Sequence, residues 1–375
     1  MQRLPNKIVL RNGVLIDGTG NLPRENITLI IENDTIAAIG LAKSIPIPAG
    51  ARVIEVQDQV ILPGFINAHI HQGYDEGNLR LWVQDGVTTV RDLILLTDQI
   101  NPFAFKARVN QKPEYSRLVT AGFMISAPNG YPFPFASPPF LPVVNQVEAE
   151  SQVDRLINEG ADVIKIMVES GAFFGQEIPT LGVLEIRAVV QAAQRRGSLV
   201  SAHVTSVADL KKALDGKVDD IAHLTGDRIP DELIAHMVEN RIYMEPTLEL
   251  WKEAERVWGL KSAAQINLKN YVAAGGLVAL GTDYAGHPEF SFDIGIPMRE
   301  IQWMQEAGMT PMQIITACTQ NAAHVSNLAN STGTLAIGKK ADILVVGGNP
   351  LADLGVLKED KMVIHHGTVI REFCQ

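Results

Sequence analysis

Only two cysteines, Cys318 and Cys374, occur in 375 residues. No disulfide framework can carry the fold, and a reducing compartment is the expected setting. No run of about 18 apolar residues is present, and the opening M-Q-R-L-P-N-K-I-V-L develops no apolar stretch with a small-residue cleavage site. A soluble, cytoplasmic protein without a membrane partner is the expectation. Basic surplus is missing too: 32 Lys and Arg stand against 42 Asp and Glu, a formal net charge of −10. A protein that draws its affinity from neutralising phosphates needs the opposite balance, so no nucleic-acid partner is expected. No Gly-x-Gly-x-x-Gly follows an early strand, which removes the dinucleotide fingerprint of an open doubly wound sheet.

What is present is ordinary folded composition, 46% hydrophobic and 20% charged, in a chain long enough for one large α/β domain and a smaller one. Short strands and turns occupy the first 60 residues, at 7–10, 27–31, 35–40 and 53–60. The same texture returns after residue 330, with strands at 341–346 and 362–365. Neither end makes a comfortable sheet alone, so residues 1–60 and 331–375 are expected to pair into one small β-sandwich domain. Between them, 61–330 alternates apolar runs with helical periodicity. The runs at 64–69, 87–91, 117–121, 163–168, 199–203, 220–223, 242–244 and 277–281 are buried parallel strands in this reading. Eight of them predict a closed (β/α)8 TIM barrel. Helices are expected over 147–159, 181–196, 207–214, 230–239, 250–274 and 292–307, with another opened by Thr310-Pro311. Residues 122–146, rich in Pro and aromatic side chains, have neither period and read as a long loop leaving strand three. Such a loop lines either the pocket or an interface, and a homo-oligomer is left open.

The stretch I-L-P-G-F-I-N-A-H-I-H over 61–71 carries the clearest chemistry. In a strand His69 and His71 share a face, and paired imidazoles are a metal-ligand arrangement. If the barrel forms, His203 ends strand five, His223 ends strand six and Asp283 follows strand eight, all at the face where barrel active sites lie. Lys165, in D-V-I-K-I-M-V, has the parity of an inward residue. An ammonium there repels a metal, whereas a carbamate made from carbon dioxide offers two oxygens and bridges two cations. Other readings stay open for single residues: Asp283 as a helix cap, and His203 and His223 as hydrogen-bonded core histidines. His236 and His324 fall in helical stretches away from the strand ends and read as structural or exposed.

With V-I-L-P-G-F-I-N-A-H-I-H at 60–71, D-G-V-T-T-V-R-D-L at 85–93, D-V-I-K-I at 162–166, S-A-H-V at 201–204, D-I-A-H-L at 220–224 and G-T-D at 281–283, the chain resembles the metal-dependent amidohydrolase superfamily. The resemblance is to its binuclear branch with a carboxylated lysine, near the prolidase-like and imidazolonepropionase-related dipeptidases. It implies two divalent ions, zinc by default. His69, His71 and Asp283 would hold one ion and His203 and His223 the other, with carboxylated Lys165 as bridge. It implies hydrolysis of an amide or peptide C–N bond in a small molecule, a dipeptide or N-acyl amino acid, with Asp283 and Lys165 catalytic and Asp283 shuttling the proton. Lactones, carbamates, esters and phosphoesters are alternative substrates for the same chemistry. A mononuclear deaminase or a non-catalytic binding protein fits less well.

The chain departs from those relatives beyond strand three. S-A-P-N-G-Y-P at 126–132 stands where they carry T-G-G-H-G, so a substrate-contacting histidine is missing. M-V-E-S-G-A replaces a small-residue run after the lysine and places Glu169 near the pocket, where a carboxylate favours a cationic group. Tyr131, Phe133, Phe135 and Phe140 are candidates for an apolar rim, and His287, four residues past Asp283, for a further substrate contact.

Overall fold

The computed structural model describes residues 7–133, 138–285 and 289–374. Both chain ends enter one mixed eight-stranded sheet. Lys7–Leu15 pairs antiparallel with Arg24–Glu32, and Arg24–Glu32 with Thr35–Leu41. Lys7–Leu15 also runs parallel to Arg52–Glu55 and Val60–Pro63. From the far end of the chain Ile343–Val346 joins Val60–Pro63, followed by Lys361–His365 and Thr368–Arg371. The stretch expected as one strand over 53–60 is two strands, separated where Asp58 turns left-handed at φ 62. One face of the sheet buries Ile8, Leu10, Leu29, Ile61, Ile343 and Ile364 together. Each such side chain contributes about 1.5–3 kcal/mol on leaving water, so neither end would keep its strands without the other.

The centre is the barrel. Its strands are Phe65–Ile70, Val87–Asp92, Arg117–Thr120, Ile164–Met167, Val200–His203, Asp220–Ala222, Tyr243–Glu245 and Leu277–Val278, parallel to their neighbours wherever they pair. Strand eight returns to strand one through Ala68 N–H donating to Leu280 O and His71 N–H to Tyr284 O. Strands three and four meet where Asp162 N–H donates to Thr120 O, so the sheet closes. All eight expected strands are present. The outer helices follow apolar spacing: Gln146–Glu159 buries Ala149, Val153 and Leu156, is capped by Asn145 accepting from Glu148 N–H, and ends at left-handed Gly160.

Two expectations are corrected, and two helices are added. The helix read over 250–274 is two, Leu248–Trp258 and Ala264–Ala273, because Gly259 at φ 67 ends the first. Helices Glu76–Gln84 and Pro102–Val109 had no reading in the sequence; each is short and opens on an Asx cap, at Asp75 and Asn101. The segment 122–146 is not structureless: Met124–Ser126 and Phe140–Pro142 pair in parallel, and Ile125 pairs with Ile166 of strand four. Strand three thus bends through Gly122, at φ 69, and resumes. Three-residue strands are too short to show a period. Phe135 and His287 lie outside the described residues. Among the described residues no helix is long and apolar enough to cross a membrane.

Candidate active site

His69, His71, His203, His223 and Asp283 converge at the C-terminal ends of the barrel strands. The rings form a contiguous row: His71 to His69 at 5.4 Å, His69 to His223 at 4.8 Å, His223 to His203 at 4.7 Å between centroids. Asp283 Oδ1 lies 3.1 Å from His69 Nε2 and 2.7 Å from His71 Nε2. Two of the five residues hold left-handed backbone, His223 at φ 74 and Asp283 at φ 59, a conformation that costs about 1–3 kcal/mol outside glycine and clusters at functional sites. Neighbouring strands impose it. His223 N–H donates to Glu245 O, and the N–H groups of Thr282 and Asp283 both donate to His69 O. Gly281 has a separate reason to be glycine, since a Cβ there would stand 2.8 Å from that of His69.

All five residues are buried or nearly so, yet His69 Nε2, His203 Nε2 and Asp283 Oδ1 make no well-formed hydrogen bond among the described residues, although Asp283 Oδ1 faces the imidazoles of His69 and His71 at ion-pair distance. Burying polar atoms unpaired is expensive. Burial, then the Lys165 charge, holds His69 well below the usual imidazole range, and burial does the same to His223. Both therefore present neutral lone pairs. Burial alone would raise Asp283, but the imidazoles of His69, His71 and His223 outweigh it and keep the carboxyl well below its ordinary range. Imidazoles around a carboxylate, with donor atoms of His69, His223 and Asp283 all within 4.8 Å of one another, are a donor set that fits a divalent cation.

The sequence model of the amidohydrolase family matches residues 60–369. The chain belongs to this family. Its sequence is 27% identical to ochratoxinase of Aspergillus niger over 418 residues, covering 95% of this chain and 84% of that protein. A shorter match, 32% over 109 residues, links it to imidazolonepropionase of Brevibacillus brevis, covering 29% of this chain and 24% of that one. A crystal structure of a Xaa-Pro dipeptidase with bound methionine shares the fold, with TM-score 0.83, 24% identity and coverage of 98% and 100% of the two chains.

In this amidohydrolase the expected cofactor arrangement needs correction. Two ions, zinc by default, bridged by a carbamate on Lys165 were expected, but among the described residues the groups able to hold a metal are made of histidine and aspartate. Lys165 is buried in strand four, its Nζ has no hydrogen-bond partner among the described residues, and burial pushes its amine down to about 7. Strand parity settles that a lysine points inward; it does not make the lysine a ligand. The second metal-competent group, Asp342, His365 and His366, was not read from the sequence. It joins the terminal sheet to barrel strand three, and its carboxylate already faces a cation: Arg117 lies 2.8 Å from Asp342 Oδ2, while His365 Nδ1 lies 2.7 Å from Oδ1.

The Lys165 amine gives a pH test. Its pKa is about 7 in the folded chain against an ordinary 10.5. The unfolded chain therefore binds more protons between those values, and stability rises with pH across that window. Lys165→Met in metal-free protein is expected to be more stable than wild type at pH 7, since an unsatisfied buried donor costs about 1–3 kcal/mol, and to lose that part of the pH slope. Urea unfolding at pH 7 and pH 10 checks it; parallel changes in the two proteins would contradict the expectation.

The proposed substrate contacts are placed as follows. Tyr131 stacks on the His203 ring at 4.8 Å and 16°, which brings the 122–146 segment to the site. Glu169 is buried, its carboxylate accepting from Thr205 Oγ1 and Gly171 N–H, with Oε2 3.6 Å from His203 Nε2. Phe133 is exposed and Phe140 half-buried. His236 is exposed, and His324 is exposed and stacked on Tyr243. Asp92 escaped the sequence reading although it sits in the quoted R-D-L. It accepts from Gly73 N–H and so holds the turn that follows His71, and burial pushes its carboxyl up to about 7.

Proposed function

We propose that this amidohydrolase performs metal-dependent hydrolysis of an amide or peptide C–N bond in a small molecule, with dipeptides or N-acyl amino acids as the substrate class. The observation that carries the reading is the convergence of His69, His203 and Asp283 at one end of the barrel, with donor atoms that are buried and make no well-formed hydrogen bond among the described residues. His69, His71, His203, His223 and Asp283 are the residues that would hold metal. When bound, a divalent ion polarises the scissile carbonyl and lowers the pKa of water from about 15.7 towards about 7.

The chain's own groups do the rest. Asp283, its carboxyl held well below the usual range, is placed among the imidazoles to take a proton from the attacking water and pass it to the leaving nitrogen. Tyr131 covers one face of His203 and keeps water from it. Because both oxygens of Glu169 are already engaged, it offers a substrate its charge, which favours a cationic group beside His203. The Xaa-Pro dipeptidase among the similar structures supports a peptide-like substrate. A cytoplasmic setting and the division of the chain at residues 60 and 330 belong to the same proposal; free Cys318 and Cys374 support the former, and the shared terminal sheet the latter.

The test is a panel of dipeptides, N-acyl amino acids, p-nitrophenyl esters and lactones, with metal-loaded and chelator-treated protein. Release of amine from an amide substrate, lost on chelation, is the expected result. Turnover confined to esters or lactones, or amide cleavage indifferent to chelation, would overturn it.

A further inference from the structure

Barrel strand seven supplies none of the residues expected to hold metal, yet its last residue, Glu245, and Thr247 just beyond it lie against two of them. Both side chains point at the Nδ1 side of a ligand imidazole. Thr247 Oγ1 lies 2.9 Å from His223 Nδ1. Glu245 Oε2 lies 3.3 Å from His69 Nδ1, an ion-pair distance, and neither atom makes a well-formed hydrogen bond with any group among the described residues, so each is the other's nearest available partner. All four residues are buried.

We infer that Glu245 and Thr247 are positioning residues that hold the Nδ1 protons of His69 and His223, so that both rings present Nε2 to a metal. This rests on the metal-dependent reading of the site and adds a role for residues that touch neither metal nor substrate. An oxygen at Nδ1 fixes the tautomer and the ring plane of a metal-ligating histidine and raises its basicity.

Both oxygens are themselves held. The other carboxylate oxygen of Glu245 takes a charged hydrogen bond from Arg91, and that guanidinium is anchored by Ala68 O, Val325 O and Asp220 inside the barrel. Thr247 has left-handed backbone at φ 45, unfavourable for a β-branched residue. Its N–H donates to Gly281 O, and Glu300 accepts from the next two N–H groups, those of Leu248 and Glu249. A strained threonine locked on both sides, with its hydroxyl on a ligand, is the pattern that points to function rather than packing.

The test uses cobalt(II) as the probe. Wild type, Glu245→Gln, Thr247→Val and Thr247→Ser are loaded with cobalt, and the visible absorption spectrum and the rate of cobalt release to a chelator are recorded. Thr247→Val keeps shape and branching but removes the oxygen; Thr247→Ser keeps the oxygen. Glu245→Gln and Thr247→Val are expected to bind cobalt about 10- to 100-fold more weakly, with altered spectra, while Thr247→Ser stays near wild type. If Glu245→Gln does not fold, the Thr247 pair decides alone. Thr247→Val with wild-type spectrum and release rate, or Thr247→Ser as impaired as Thr247→Val, would overturn the inference. Wild type that takes up no cobalt would overturn the metal-dependent reading itself.

Discussion

Asp283→Asn is expected to lower kcat for an amide substrate by about 10²–10⁴-fold, the range that a positioned proton-transfer group contributes, with much smaller change in KM. Asparagine has the size of aspartate and tolerates the left-handed backbone that residue 283 holds at φ 59, so the loop after strand eight should keep its path. What it removes is the charge and the basic oxygen. In the wild-type chain that oxygen lies within 3.1 Å of both His69 and His71, and the surrounding imidazoles keep the carboxyl ionised. An amide there can still act as a neutral ligand but cannot carry a proton. Steady-state kinetics with metal-loaded variant, beside circular dichroism and Tm, would separate lost chemistry from lost fold. A variant with near wild-type kcat would show that another group moves the proton.

Metal removal should have the largest effect of all, loss of amide hydrolysis to background, restored by adding a divalent ion. A ligand bound only by the folded state stabilises it by about 2.7 kcal/mol at a hundredfold excess over Kd, so chelation should also lower Tm by several degrees. His69→Ala should reproduce the activity loss without rescue, because that ring sits in the middle of the histidine row. The second metal-competent group supplies the control. Asp342 is already engaged by Arg117, Thr332 and His365, so His366→Gln should leave the metal requirement and kcat of the enzyme unchanged. If His366→Gln instead removes metal-dependent activity while His69→Ala keeps it, the catalytic site has been placed at the wrong end of the barrel.

Much of the framework was legible because it is written in local spacing. A buried parallel strand is a short apolar run, and eight such runs separated by helical stretches admit few arrangements other than a closed barrel. His69 and His71 announce their shared face by being two apart. The strand-ending positions of His203, His223 and Asp283 then follow from the barrel, since every strand delivers its last residues to the same face. Errors fell where local signal is weak: a glycine that ends one helix inside a long helical pattern at 259, strands of three residues at Met124–Ser126 and Phe140–Pro142, and short helices announced mainly by caps.

The sequence by itself determined the barrel, the pairing of the chain ends, and which histidines and aspartate reach the C-terminal ends of the barrel strands, because these depend on periodicity and on residues close along the chain. Only the tertiary structure decided which groups those residues meet. Asp283 reaches His69 across more than two hundred residues, and Glu245 lies between Arg91 and His69 because closure of the barrel brings the inner faces of strands one, two and seven together. Glu245 and Thr247 carry the same two-residue spacing as the histidines, yet a carboxylate and a hydroxyl at a strand end have no distinguishing mark until a ligand ring is placed against them. Lys165 shows the same limit from the other side: parity turned it inward, but its surroundings, not its spacing, determine whether it is a ligand. Hydrogen bonds and ion pairs act over about 3–4 Å, and in a closed barrel that distance is set by strand order and stagger, which local spacing does not contain.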